Sequence, residues 1–440
     1  MEILTDIILP VTLLVTGIFL TVKLRFVQVR YLFQGLRNMF SGRREKNGGI
    51  SPFASLMSSL AAQLGTGNIV GAGSAIITGG PGAVFWMWAS AFFGMATAYS
   101  EASLSIITRR RDKNGKTEGG APYYIRCAFG GRTGKILSAL FSLFATIALG
   151  FTGVAVQSNS ISTALNEAFG LPFFITGIGI TLAAAFFILR GTKAVTGFAE
   201  RTIPVFGVLY FLCSLGVIIF NIKNLPEAVR LIFVCAFSPK ALFGGITGIG
   251  IKESVTQGIK RGLFTNEAGM GSSPAAHALS SSEDPHFQGT LGLAGVFIDT
   301  FLMLGITAIG IITVLYTGKA PPSGTLTGSE AVTLSMGSIF GVRGASVFIA
   351  LSVLFFAFAS VLGWNLYGKA AAAYLFGEKS ERLYLISSLF FTFTGCIMPV
   401  KTVWLLTDVF NSLMVLTNAP ALIRLSEKTR KFIPDNKKSC

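Results

Sequence analysis

The sequence predicts an all-α polytopic membrane protein of eleven spans, on three observations. The 440 residues are 51% hydrophobic and only 13% charged, against about 25% charged in a soluble domain. Several apolar runs approach or exceed the roughly 20 residues that cross a bilayer. Two of those runs are interrupted near their centres by glycine and polar side chains. The first interruption is Gln63-Leu64-Gly65-Thr66-Gly67-Asn68-Ile69-Val70-Gly71, set in an apolar stretch from Phe53 to about Ile77. Glycine permits non-helical dihedrals, and an opened turn leaves amides and carbonyls unpaired. In hydrocarbon that is costly, so the turn must be buried in protein and face something polar. Paired breaks of this kind hold a small charged solute and its coupling ion in secondary transporters.

The net charge of +16 does not point to nucleic acid. The basic residues cluster between apolar runs, as positive-inside topology requires. The five cysteines are scattered without metal or redox spacing. His277 and His286 are too few and too far apart for a catalytic or metal constellation. No nucleophile–base pair or HExxH motif is present, so the chain is expected not to be an enzyme and to need no cofactor.

Span 1 runs from Ile7 to Leu20 and is read as a retained helix rather than a signal peptide, lacking a basic n-region and a cleavage motif. Lys23, Arg25, Arg30, Arg37, Arg43, Arg44 and Lys46 follow it, which predicts an extracellular N-terminus in the cell membrane. Span 2 is the broken helix, closed by the turn Gly79-Gly80-Pro81-Gly82. Span 3 covers Ala83 to Ile107 and leads to basic Arg109, Arg110, Arg111 and Lys113. Spans 4, 5 and 6 run from Ile136 to Leu165, Leu171 to Leu189 and Ile203 to Phe220. Span 7, Ile251 to Leu279, is predicted to break at Gly262–Gly269. A second reading makes Lys252–Arg261 a surface helix and moves the break to Gly244–Gly248. Span 8 is Leu291 to Leu315, and a surface helix is expected at Ser329–Phe340. Spans 9, 10 and 11 are Ala345 to Leu375, Leu385 to Met398 and Val403 to Ala421, before a basic tail predicted to be cytoplasmic.

The order of elements from span 2 recurs from span 7, and Gln63 to Ser74 (QLGTGNIVGAGS) resembles Gly262 to Ser273 (GLFTNEAGMGSS). Five spans per unit is odd, so the second unit enters the membrane in the opposite sense. The expected division is an extra helix and loop over 1–50, a first inverted half over 51–220, an extracellular connection over 221–250, a second half over 251–421 and a tail over 422–440.

Gly65-Thr66-Gly67-Asn68-Ile69-Val70-Gly71, Gly79-Gly80-Pro81-Gly82-Ala83-Val84-Phe85-Trp86-Met87-Trp88, Gly94-Met95-Ala96-Thr97, Gly119-Gly120-Ala121-Pro122-Tyr123-Tyr124-Ile125 and Arg261-Gly262-Leu263-Phe264-Thr265-Asn266-Glu267-Ala268-Gly269 resemble the alanine/glycine:cation symporter family over nearly the whole chain. The chain departs at Ala121, where that family often has proline or glycine, and at Ser360, where threonine is common. The resemblance implies a leucine-transporter-like five-plus-five inverted repeat preceded by one extra helix. It also implies alanine or glycine uptake with sodium, and occasionally with protons.

A zwitterion in a dry site needs partners for both ends. The turn Thr66-Gly67-Asn68 offers amides to a carboxylate at the start of a half-helix. Leu263–Thr265 offers carbonyls to an ammonium. Thr66 is the expected hydroxyl contact, and Asn68 is either a contact or a brace of the break. Gln157 and Asn159 on span 4 are direct contacts or interhelical hydrogen bonds, with Gln157 the stronger choice. Phe264, Thr265 and Trp364 are expected to bound the pocket, admitting alanine and glycine and refusing branched side chains. Sodium is assigned to carbonyls of Gln63 or Leu64, Gly67, Ala357 and Phe358 with the Ser360 hydroxyl. Glu101, Glu267 and Asp299 are proton sites or paired charges. The expected partners are the amino acid, sodium and membrane lipid, for a monomer working by alternating access. A channel lacks its continuous polar pore, and a receptor its signalling domain.

Overall fold

The computed structural model describes residues 3–41, 49–111, 117–238, 250–317 and 326–434. The alternative break at Gly244–Gly248 and basic residues Arg43, Arg44, Lys46, Lys113, Lys437 and Lys438 lie outside them. Six helices among the described residues are long and apolar enough to cross a bilayer: Leu4–Lys23, Gly131–Phe169, Thr192–Phe220, Pro285–Leu315, Gly328–Phe376 and Lys401–Arg430.

Helix α1, Leu4–Lys23, ends at Arg25 and Phe26, whose positive φ angles of 56° and 55° turn the chain sharply. The basic stretch expected as a loop then forms helix α2, Val27–Asn38, because Val27, Gln28, Tyr31 and Gly35 fall on one face and are buried. Helix α3, Pro52–Gln63, starts with Ser51 Oγ accepting from Ala54 N at 3.0 Å and Pro52 in the first turn. It stops at Leu64, a short turn Thr66–Asn68 follows, and α4 resumes over Val70–Gly79. Gly80, with φ 72°, makes the expected turn into α5, Gly82–Thr108. Arg110–Arg111 pair antiparallel with Thr117–Glu118, and an isolated parallel bridge joins Ile50 and Ser280; these are the β-type pairings among the described residues. Helices α6 (Ala121–Phe129), α7 (Gly131–Phe169), α8 (Phe173–Leu189) and α9 (Thr192–Phe220) follow.

The connecting segment contains helix α10, Leu225–Phe237. Helix α11 runs unbroken over Ile251–Asn266, so the break does not begin at Gly262. Gly258 and Gly262 are instead packing glycines. A Cβ on Gly258 would come within 2.7 Å of Trp86 Cβ, and one on Gly262 within 3.0 Å of Ser90 Oγ, so both let α11 lie against α5. The break falls at Glu267, Gly269 and Gly271, with φ angles of 56°, 88° and 79°, before the short helix α12, Pro274–Ala278. The charges of α11 are not stranded, since Lys260 Nζ lies 3.0 Å from Asp6 and 3.4 Å from Asp408. Helix α13 is Pro285–Leu315 and α14 is Gly328–Phe376, bent at Gly341 (φ 67°, ψ 162°) into the expected surface helix and a long spanning piece. Helices α15 (Glu381–Gly395) and α16 (Val400–Arg430) complete the chain.

The core holds α3, α4 and α11 among α5, α7, α13 and α14. All of α3 is buried except half-buried Phe53. On α8 only Thr176, Gly177, Ile180, Ala184 and Ile188 are buried, while Leu182, Phe186 and Leu189 face outward. An apolar outer face around a core that also buries many polar side chains suits a bilayer.

Candidate functional site

The first break opens because Leu64 N makes the last helical bond, to Leu60 O at 2.7 Å, and Gly65 N folds back onto Gln63 O at 2.8 Å. Two side chains brace it. Asn68 Nδ2 donates to Asp299 Oδ1 at 2.6 Å and reaches Gln63 O at 3.5 Å. Gln63 Nε2 donates to Asn266 O at 3.0 Å, tying the first break to the end of α11. Asp299 lies in a wide π-type turn of α13, Phe297–Leu304, beside Thr300, which donates to its Oδ2 at 3.0 Å and accepts from Asn266 Nδ2 at 3.1 Å. Such turns are frequent at functional sites.

Gln157 comes from α7, just past a second wide turn at Ala148–Gly153, and its Oε1 accepts from Thr66 N at 3.1 Å. Thr66 Oγ1 is buried without a partner, as are Gln63 Oε1 and Asn68 Oδ1. Asn159 bonds elsewhere: its Nδ2 donates to Gly395 O and Met398 O at 2.9 and 2.8 Å, which is an interhelical tie. Asn159→Ala is expected to lower stability by about 1 kcal/mol and to leave the KM for amino-acid uptake unchanged. Thermal unfolding and uptake on the same preparation check this.

The second break exposes carbonyls by diverting the amides that would have paired with them. Ala268 N donates to Asn266 Oδ1 at 3.0 Å, and Gly269 N to Glu101 Oε2 at 3.1 Å. The carbonyls of Phe264 and Thr265 thereby lose their helical donors. Leu263 O is not available as expected, since it accepts from Glu267 N at 2.8 Å. Glu101, on α5, also accepts from Gly271 N at 2.9 Å and Asn418 Nδ2 at 2.7 Å, while Asn418 Oδ1 accepts from Tyr124 OH at 2.6 Å. Thr265 Oγ1 donates back to Arg261 O at 2.9 Å. A Cβ on Gly67 would come within 3.1 Å of Thr265 Cα, so glycine there lets the two breaks touch.

Phe264 meets Trp364 edge to face, with ring centres 5.5 Å apart, and Trp404 at 4.6 Å. Trp364 Nε1 donates to Glu267 Oε1. Beyond Trp404, Arg261 lies over the indole at 4.2 Å and 3.8 Å from Asp408. Trp404, Arg261 and Asp408 border a cavity of about 500 Å³ whose walls include Val70, Ser74, Glu167 and Lys401. A smaller one, about 110 Å³, opens toward the other end of α14 beside Glu118, Lys369 and Glu381.

The Ser360 hydroxyl sits among three carbonyl oxygens, of Ala61, Ala62 and Phe356, at 2.7, 3.1 and 3.2 Å. One hydroxyl proton satisfies one acceptor, so oxygen lone pairs are in excess and suit a small hard cation. The expected carbonyl of Gln63 is not among them, since it takes Gly65 N and Asn68 Nδ2. Those of Leu64, Gly67, Ala357 and Phe358 do not accept from this hydroxyl either. Ser360 faces the last turn of α3, one turn before the break, and its own helix brings the carbonyl four residues back beside it. Backbone oxygens carry no sequence signal. Asn418, Trp404 and Asp408 were also missed, though the single Asp and the two Asn of the apolar run of span 11 could have flagged two of them.

The profile of the sodium:alanine symporter family matches residues 1–439. The chain belongs to that family. Among relatives of this symporter, the sodium/alanine symporter AgcS of Methanococcus maripaludis is 38% identical over 94% of this chain and 91% of its own length. The probable sodium/glutamine symporter GlnT of Bacillus subtilis is 36% identical over 96% and 86%. The crystal structure of MhsT in complex with L-phenylalanine superposes with a TM-score of 0.58 at 14% identity, covering 88% of this chain and 100% of that one, a likeness of fold. This is a multi-pass, cation-coupled amino-acid symporter.

Proposed function

We propose that this symporter takes up alanine and glycine with sodium. The observation that carries the ion assignment is the surplus of carbonyl oxygens around Ser360. The amino acid lies between the two breaks, its carboxylate at the start of α4 near Thr66, Gly67, Asn68 and Gln157, its side chain against Phe264, Thr265 and Trp364. The partnerless Thr66 hydroxyl supports this, because a buried unsatisfied donor costs free energy until a ligand takes it. The closely set Phe264 and Trp364 rings favour a small side chain over the glutamine named for one relative. Eleven spans with an extracellular N-terminus and halves at 51–220 and 251–421 fit alternating access, in which the Phe264, Trp404 and Arg261 stack opens and closes one path.

Proton coupling is the second reading, supported by three fully buried carboxylates, Glu101, Glu267 and Asp299, none in an ion pair among the described residues. Labelled alanine uptake into proteoliposomes under matched sodium or proton gradients separates the two. Sodium-driven accumulation is expected, and Ser360→Ala is expected to raise the sodium concentration for half-maximal uptake about tenfold. Uptake driven by protons alone would sink the sodium assignment.

A further inference from the structure

We propose that Glu267 is the counter-ion for the ammonium group of the transported amino acid. This rests on the amino-acid symport reading and adds to it a charged contact at the second break.

Burial, the helix dipole and the backbone conformation all oppose an anion at this position. Glu267 is completely buried, and among the described residues its carboxylate accepts from two neutral donors, Trp364 Nε1 and Ser272 Oγ. Among the described residues it forms no ion pair. A buried charge without an opposite charge is strongly unfavourable. Glu267 also caps the C-terminal end of α11, where the helix dipole is negative and a cation is preferred. Its φ of 56° is a conformation that glycine or asparagine adopts more readily. A glutamate held against burial, dipole and backbone preference marks a site completed by a cation from outside the chain.

The geometry selects the cation. Each carboxylate oxygen takes one donor and keeps a lone pair for another, whereas the oxygen surplus that suits sodium lies at Ser360. An ammonium has three directional N–H donors. The carbonyls of Phe264 and Thr265, stripped of their helical donors, and the Glu267 carboxylate give three acceptors within one turn of chain. The opposite pole is close, because Gly67 touches Thr265 and carries with it the free Thr66 hydroxyl and the amide bound by Gln157. A glycine or alanine zwitterion is short enough to bridge two helix ends in contact. Trp364 is then a positioning residue, aiming the carboxylate through its indole N–H.

The test uses purified full-length protein in nanodiscs with saturating sodium, and measures labelled alanine binding together with the rise in thermal midpoint on adding sodium alone. Glu267→Gln should weaken alanine binding at least about 100-fold while keeping the sodium-induced rise. Trp364→Phe should weaken it about tenfold and likewise keep the rise. Alanine affinity in E267Q within about threefold of wild type would overturn the proposal. Loss of the sodium-induced rise in E267Q would also overturn it, assigning the carboxylate to the ion. Should E267Q not fold, competition against wild type decides: propionate, which lacks the amine, must compete at least about 100-fold more weakly than glycine, and equal competition sinks the idea. A wild type that binds no amino acid in sodium instead overturns the amino-acid reading on which the proposal stands.

Discussion

Gly65→Ala should cut sodium-driven uptake at least about 100-fold while the protein still inserts and folds. Its Cβ would come within 2.5 Å of Ser360 Oγ and 2.8 Å of both amide atoms of Gln157, so the methyl group strikes the hydroxyl assigned to the ion and the side chain assigned to the carboxylate. Neither has room to retreat, because Ser360 is wedged against the Ala61 and Ala62 carbonyls and Gln157 is fastened to Thr66 N. Overpacking at one ordinary core position costs about 1–3 kcal/mol, and here it moves two functional groups at once. Gly71→Ala is the matched control. The nearest atom to its Cβ would be Thr66 O at 3.8 Å, an ordinary contact, and its uptake should stay near wild type. Proteoliposome uptake with both variants reconstituted at equal density checks the pair. Equal loss in both would mean that the break tolerates no methyl anywhere and that the Ser360–Gln157 approach is not special.

Phe264→Ala should change which amino acids bind. The ring is buried and held between Trp364 and Trp404 at centre distances of 5.5 and 4.6 Å, so its removal leaves a void on the pocket side of the stack. Valine and leucine, which the wild type is expected to refuse, should compete with labelled alanine about 100-fold better, near the upper end of what a few methylene groups can discriminate. Alanine itself should bind about tenfold more weakly, since its methyl loses the surface it packs on. Unchanged refusal of branched side chains would move the size filter to another wall.

Glycine clusters, apolar runs and basic loops made most of the architecture legible before any coordinates. The turn at Gly80, the broken second span and the bend at Gly341 all fall where the residues implied. The second break overlaps its expected window, Gly262–Gly269, only at its end, at Glu267 and Gly269. Gly262 looked like a break and is a packing glycine, because a string does not distinguish a glycine that frees the backbone from one that admits a neighbour. The basic segment after the first helix hid α2, since its buried face is only Val27, Gln28, Tyr31 and Gly35. The carbonyls around Ser360 lie just before those expected for sodium, for a related reason. Carbonyl oxygens are identical at every residue, and only the register of α14 against α3 selects those of Ala61, Ala62 and Phe356.

Glu101 has a mechanical consequence. One carboxylate clamps two amides of the second break, Gly269 and Gly271, and through Asn418 and Tyr124 reaches α16 and α6. These hydrogen bonds are buried away from water. The stretch that looks most pliant, with three positive φ angles in five residues, is therefore a welded joint. Four hydrogen bonds tie α5, α6 and α16 to the second break, so the joint fastens elements of both expected halves together instead of dividing them.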